Sequence, residues 1–110
     1  MFVVIYKWQL KPGKESEFRD AWRQATEAIY ATRGSLGSQL MKGQDGTYYG
    51  VARWPDRDTW RRRSEPEAAD PQASRLMGEL TEVSFPPLEL EVTDDFLALE
   101  THSRLATIFP

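Results

Sequence analysis

The chain has 110 residues, of which 40% are hydrophobic, 12% aromatic and 28% charged, a composition that fits one compact domain with one core and excludes general disorder. A formal net charge of −3 and a pI near 5.2 leave no global positive field to collect nucleic acid or an anionic membrane surface. With no cysteine, disulfides, thiolate metal ligands, iron–sulfur clusters and a cysteine nucleophile are all ruled out, as suits a reducing cytoplasm.

The amino terminus does not read as a basic segment, apolar run and cleavage site, and no apolar stretch nears a membrane span, so a cytoplasmic protein is expected. In "FVVIYKWQL", Phe2, Val4, Tyr6, Trp8 and Leu10 share one strand face, while Val3, Ile5, Lys7 and Gln9 share the other. The first face is wholly apolar or aromatic, and the second starts apolar and ends polar. Both faces therefore need cover over most of the strand.

Lys11-Pro12-Gly13-Lys14 supplies a turn. Phe18, Trp22, Ala25 and Ile29 then recur at helical spacing, with Ala21 and Ala28 beside them, which predicts an amphipathic helix over about 15–32 ended by Gly34 as a left-handed cap. Next comes a hairpin, with Gln39 to Lys42 and Tyr48 to Trp54 flanking a turn at Asp45-Gly46. On its second strand Tyr48, Ala52 and Trp54 share one face and Tyr49, Val51 and Arg53 the other, with Gly50 leaving room for a ligand or a neighbouring backbone. Asp56 opens a short helix as N-cap, with Pro55 and Trp60 placed for a hydrophobic staple. Pro66 interrupts it, and Asp70-Pro71 opens another helix carrying Ala73, Leu76, Met77 and Leu80. Pro86-Pro87 forbid its extension, and Leu88, Leu90 and Val92 alternate with Glu89 and Glu91 as a half-buried strand whose glutamates face solvent.

The expected fold is α+β, the ferredoxin-like order β-α-β-β-α-β with a four-stranded antiparallel sheet and helices on one side. Its domain spans 1–92. Residues 93–110 form a C-terminal extension whose Phe96, Leu97, Leu99, Leu105, Ile108 and Phe109 are too apolar for a free tail, so it should pack on the domain or on a partner. The bare sheet face is apolar along the first strand, which predicts a two-fold homodimer joined through that face.

"FVVIYKWQLKPGKESEF", "GSLGSQLMKGQDGTYYGVARWPDRDTW" and their spacing resemble the antibiotic biosynthesis monooxygenase domain family of the dimeric α/β barrel superfamily, over residues 2 to about 92. The most specific element is a hairpin strand ending in Arg53-Trp54-Pro55 before a capped helix that carries Trp60. The resemblance implies a dimer closed as an eight-stranded barrel. Some members oxidise polyketide-derived phenols or anthrones to quinones with molecular oxygen and no cofactor, while others cleave haem or modify quinones.

Cofactor-free oxygenation asks for a flat apolar pocket, help in forming a phenolate or enolate, and exclusion of water. Trp54, Arg53, Tyr6 and Tyr48 are the expected catalytic residues, and Trp8, Tyr49, Met41 and Trp60 the expected substrate-binding ones. Each aromatic also suits core packing. An arginine serves as an anion stabiliser and not as a base. A tyrosine, with a reference pKa of about 10, is a poor base unless Arg53 or Lys42 makes it more acidic.

No metal and no cofactor are expected. The haem-degrading relatives place an axial histidine on the second helix, and "ASRLMGEL" has none; the one histidine, His102, lies in the extension, too few ligands for zinc or non-haem iron. Arg61-Arg62-Arg63 spread around a helix beside acidic neighbours and are expected to be a solvated face. The competing function is a non-catalytic dimeric barrel that binds a small hydrophobic ligand.

Overall fold

The computed structural model describes residues 1–97. The element order is β1 (Phe2–Leu10), α1 (Glu15–Thr32), β2 (Gly37–Lys42), β3 (Tyr48–Trp54), α2 (Arg57–Arg61), α3 (Pro71–Leu80), β4 (Thr81–Ser84) and β5 (Leu88–Glu91). All pairings are antiparallel, in the order β2-β3-β1-β4 with β5 also on β1. This is the expected α+β, ferredoxin-like arrangement.

One expected strand is two. Thr81 to Ser84 continue directly from α3 as β4, a strand that the helix-to-proline reading had no room for. β4 pairs with the far end of β1 (Trp8 with Ser84) and β5 with its start (Ile5 with Leu88), so both occupy a single sheet edge. Phe85 N–H still donates to the Lys7 carbonyl at 3.1 Å, after which Pro86 and Pro87 stand opposite Tyr6 alone. Neither proline has an N–H to offer, and the extra residue breaks the ladder as a bulge does.

The helix boundaries follow local chemistry. Asp56 Oδ1 accepts the Thr59 N–H at 2.7 Å and Asp70 Oδ1 the Ala73 N–H at 3.0 Å, caps worth about 0.5–2 kcal/mol each. Gly34 takes φ +79 after α1 and Gly46 takes φ +85 in the hairpin turn, both in the region that glycine enters without strain. Asp45 Oδ1 completes that turn by accepting the Thr47 N–H at 3.0 Å.

The helices cover the face bearing Phe2, Val4, Tyr6 and Trp8. Val4, Ala52, Trp54 and Trp60 form the central cluster, with Phe2, Tyr6 and Ile29 packed against it, and α1 adds buried Phe18, Ala21 and Ala25. The opposite face is open. It carries Val3, Ile5, Val51, Tyr49, Arg53 and Met41, together with Val83, Phe85, Leu88 and Leu90 from the composite edge, as the registers dictate. Val3 is still only 7% exposed, because β3 and β5 flank it, whereas Leu88 is 58% and Leu90 44% exposed. The expectation that β5 buries its leucines is therefore corrected, whereas its glutamates are exposed as expected. Glu89 faces the helix side and accepts from Arg57 Nε at 2.6 Å, while the leucines stand bare. Of the extension, Phe96 is 98% exposed; Leu99, His102, Leu105, Ile108 and Phe109 lie outside the described residues.

At the far end of the sheet, Glu15 of α1 holds the hairpin. Its carboxylate contacts Lys42 Nζ at 3.0 and 3.2 Å and accepts the Tyr48 hydroxyl at 3.1 Å. Lys42 first, and then Tyr48, holds the Glu15 carboxyl below the usual carboxylate range, and the same contact raises Lys42. A carboxyl whose pKa falls on folding contributes stability above its unfolded value and loses it as pH drops through the folded one. Glu15→Gln is expected to lower the urea midpoint at neutral pH, with the gap from wild type closing as pH falls below about 4.3. A gap of constant size down to acid pH contradicts this role.

Candidate active site

Between the sheet and the helices lies a cavity of about 490 Å³, within the range of roughly 300–1,000 Å³ that small-molecule pockets occupy. It exists because the elements meet through small side chains. Gly50 and Ala52 on β3, Ala25 on α1, Gly78 on α3 and Ala68 and Ala69 on the α2–α3 loop all line it. Tryptophans wall the space these residues leave, with Trp8 on β1, Trp22 on α1 and Trp54 at the end of β3.

Gly50 is required by close approach. A Cβ there meets Trp8 Cη2 at 2.8 Å and Cζ3 at 3.0 Å, so the room it leaves is filled by the Trp8 indole. That indole is held in turn by a near-parallel stack on Tyr6 (5.6 Å, 7°) and by an edge contact with Phe18 (5.3 Å). Tyr6 is fixed at its far tip, where its hydroxyl oxygen accepts the Trp60 indole N–H at 2.8 Å. Trp54 is 2% exposed, and its buried indole N–H has no partner among the described residues.

Of the eight residues expected from sequence, Tyr6, Trp8 and Trp54 come together in the cavity wall. Trp60 sits behind it, packed on Phe2 at 5.7 Å, where it orients the Tyr6 hydroxyl. Tyr48 shares their sheet face but points to the Glu15 end. Burial first, and then the bond to Glu15, pushes its phenol up, opposite to the activation by Lys42 considered from sequence. Arg53, Tyr49 and Met41 lie on the open face, away from the cavity. Lys7 Nζ stands 5.8 Å from the Tyr49 ring and 4.7 Å from that of Phe85, and Arg53 borders a shallow depression with residues 92–97.

The cation of the cavity is Arg63, which corrects the expectation that all three arginines form a solvated face. Arg61 and Arg62 are exposed, as expected, but Arg63 is half-buried and lines the cavity. Its guanidinium lies 4.5 Å from the Trp60 ring centre and donates to the Trp60 carbonyl at 3.0 Å, a stack worth about 0.5–2 kcal/mol. No described carboxylate lies within ion-pairing distance of it. The loop that carries it is tied down by Arg33, which donates from Nη1 to the Glu65 carbonyl and from Nη2 to the Glu67 carbonyl at 2.9 Å. Among the described residues there is no cluster of three or more potential metal-ligating side chains, and no helix is long and apolar enough to cross a membrane.

A family model described as antibiotic biosynthesis monooxygenase matches residues 1–69. The chain belongs to this family. The match covers the first two helices and the first three strands, and so takes in Tyr6, Trp8, Trp54 and Arg63. Among solved structures, the chain is similar to SnoaB, a cofactor-independent oxygenase from Streptomyces nogalater (TM-score 0.73, 15% identity, 86% of this chain and 95% of that one). It is also similar to Rv0793 from Mycobacterium tuberculosis (TM-score 0.71, 18% identity, 87% and 98%) and to a conserved protein from Methanosarcina mazei (TM-score 0.70, 15% identity, 81% and 89%). At these identities the likeness is one of fold. No curated protein matches the chain.

The contact between Gly50 and Trp8 can be tested inside this family member. Gly50→Ala forces the indole out of its stack and is expected to cost about 1–3 kcal/mol in denaturant unfolding. In a Trp8→Ala background the same substitution is expected to be close to neutral. Equal costs in the two backgrounds contradict the contact.

Proposed function

We propose that this chain is a cofactor-independent monooxygenase that oxidises a small planar phenolic, anthrone or quinol-like aromatic with molecular oxygen. The observation that carries the reading is the cavity itself, a space walled by Tyr6, Trp8 and Trp54 with a half-buried Arg63 in its lining that has no ion-pair partner among the described residues. Membership of a monooxygenase family supports it.

The chemistry balances without a further reductant. An anthrone-type methylene loses a proton, the enolate passes an electron to oxygen, and the radical pair joins at carbon as a peroxide. Loss of water then leaves a ketone, with one oxygen atom in the product and the other in water. Within this scheme the indole walls hold the ring system flat and dry, and low polarity strengthens each remaining electrostatic contact. The Arg63 guanidinium meets the phenolate or enolate oxygen. The Tyr6 hydroxyl, whose oxygen already accepts from Trp60, has its own proton free to donate to a substrate oxygen. Arg53 gives up the role of anion stabiliser, since it faces the other way.

Oxygen uptake by metal-free and flavin-free protein, presented with anthrones and dihydroxynaphthalenes, is expected to saturate with substrate. Arg63→Gln is expected to lower kcat by about 10²-fold, the usual loss when one oxyanion donor is removed. Trp54→Phe, chosen because truncation to alanine in the core costs about 3–5 kcal/mol, is expected to raise KM. Uptake no faster than the spontaneous reaction contradicts the reading, and ligand binding without uptake favours the non-catalytic barrel instead.

The reading includes a two-fold homodimer through the open sheet face. Leu88, Leu90, Val83, Phe85 and Met41 are all more than a third exposed there, with Lys7 between the Tyr49 and Phe85 rings, and exposed apolar side chains in this number are of the kind that a second copy covers. Light scattering is expected to give twice the 12.7 kDa of one chain, and Leu88→Asp with Leu90→Asp to give single chains. A wild-type mass of one chain at micromolar concentration contradicts it.

A further inference from the structure

Resting on the oxygenase reading above, the inference concerns the one step for which that reading names no residue, the removal of the substrate proton. Among the described residues, three titratable side chains line the cavity: Tyr6, Arg63 and Glu82. The Arg63 guanidinium is a donor with no lone pair to offer. The Tyr6 oxygen already accepts the Trp60 N–H, which leaves the hydroxyl to act as a donor. Glu82 is different in kind, because an ionised carboxylate only accepts.

Its position suits the task. Ser84 pairs with Trp8, Val83 with Gln9 and Thr81 with Leu10, and the register shifts between Gln9 and Leu10, so Glu82 is the extra, unpaired residue of a bulge and is exposed. There it lines the cavity with Thr81 and Ser84. Among the described residues it makes no ion pair and no side-chain hydrogen bond, and unlike Glu27, Glu65, Glu67, Glu79 and Glu91, which are unpaired as well, it lines the cavity.

We propose that Glu82 is the proton acceptor of the reaction. Its carboxylate takes a proton from the acidic C–H or O–H of the aromatic, and the electron pair stays on the substrate as an enolate or phenolate facing Arg63. After oxygen has added, the carboxylic acid returns that proton to the peroxide oxygen. In the anthrone case the second C–H proton then departs with hydroxide as water, and the carboxylate is restored.

Proton abstraction can be watched without oxygen. Held anaerobically in deuterated buffer, 1,8-dihydroxyanthrone exchanges its methylene hydrogens, and the loss of their proton NMR signal measures the step alone. Wild-type protein is expected to accelerate this exchange. Glu82→Gln is expected to lose about 10²-fold or more of the acceleration while the affinity for 1,8-dihydroxyanthraquinone, read by tryptophan quenching, changes by no more than about twofold, and Glu82→Asp is expected to recover part of the rate. A charge that merely protects an edge strand from pairing leaves exchange in Glu82→Gln at the wild-type rate, and that result overturns the proposal. So does wild-type oxygen uptake with no accelerated exchange, or loss of affinity in Glu82→Gln equal to its loss of exchange; in both cases the oxygenase reading stands. Wild-type protein that neither exchanges nor consumes oxygen overturns both.

Discussion

The structure turns on β1, a central strand with large apolar side chains on both faces. A side chain of this size stabilises the fold by about 1.5–3 kcal/mol when it leaves water, so neither face of β1 can be left fully wet without cost. The chain meets this demand in two ways. Helices cover the face of Phe2, Val4, Tyr6 and Trp8. On the other face β3 and the β4–β5 edge flank Val3 and Ile5, leaving an apolar surface that the proposed second copy completes.

The cavity follows from how the first face is covered. Had the helices met the sheet through leucine and isoleucine, the layer would be solid. Instead glycine and alanine line the contact from both sides, and a few fixed indoles stand at its margins. The supporting contacts are chained together. Trp60 holds the Tyr6 hydroxyl, Tyr6 stacks on Trp8, and Trp8 fills the space above Gly50. Arg63 is laid on Trp60 from the opposite direction, so a single buried tryptophan orients both a neutral donor and a cation at the pocket. A pocket built this way has its polar groups in place before a ligand arrives, which is the condition for electrostatic stabilisation of a developing anion.

Much of this was legible in the sequence where periodicity carries information. The alternation in β1 and β3 separated Tyr48, Ala52 and Trp54 from Tyr49, Val51 and Arg53 correctly, and the aspartate caps located both short helices. Expecting Arg53 in the same site as Trp54 ignored that parity, since neighbours on a strand face opposite ways. Arg63 was hidden by its two companions, because three successive arginines look alike until the end of α2 decides which one turns inward. β4 and Glu82 were hidden by brevity, a strand of four residues pressed between a helix and two prolines with no period of its own. Distant pairing with β1 creates that strand, and no local signal announces it.

In the proposed function the space between the helices and the sheet, and no other part of the molecule, receives the aromatic substrate. The most direct measurement is a crystal structure of the protein with 1,8-dihydroxyanthraquinone, a planar phenol that is already oxidised. The account predicts electron density for the ring system among Tyr6, Trp8 and Trp54, with a phenolic oxygen toward Arg63. A ring system seated on the open sheet face instead, with this cavity empty, contradicts it.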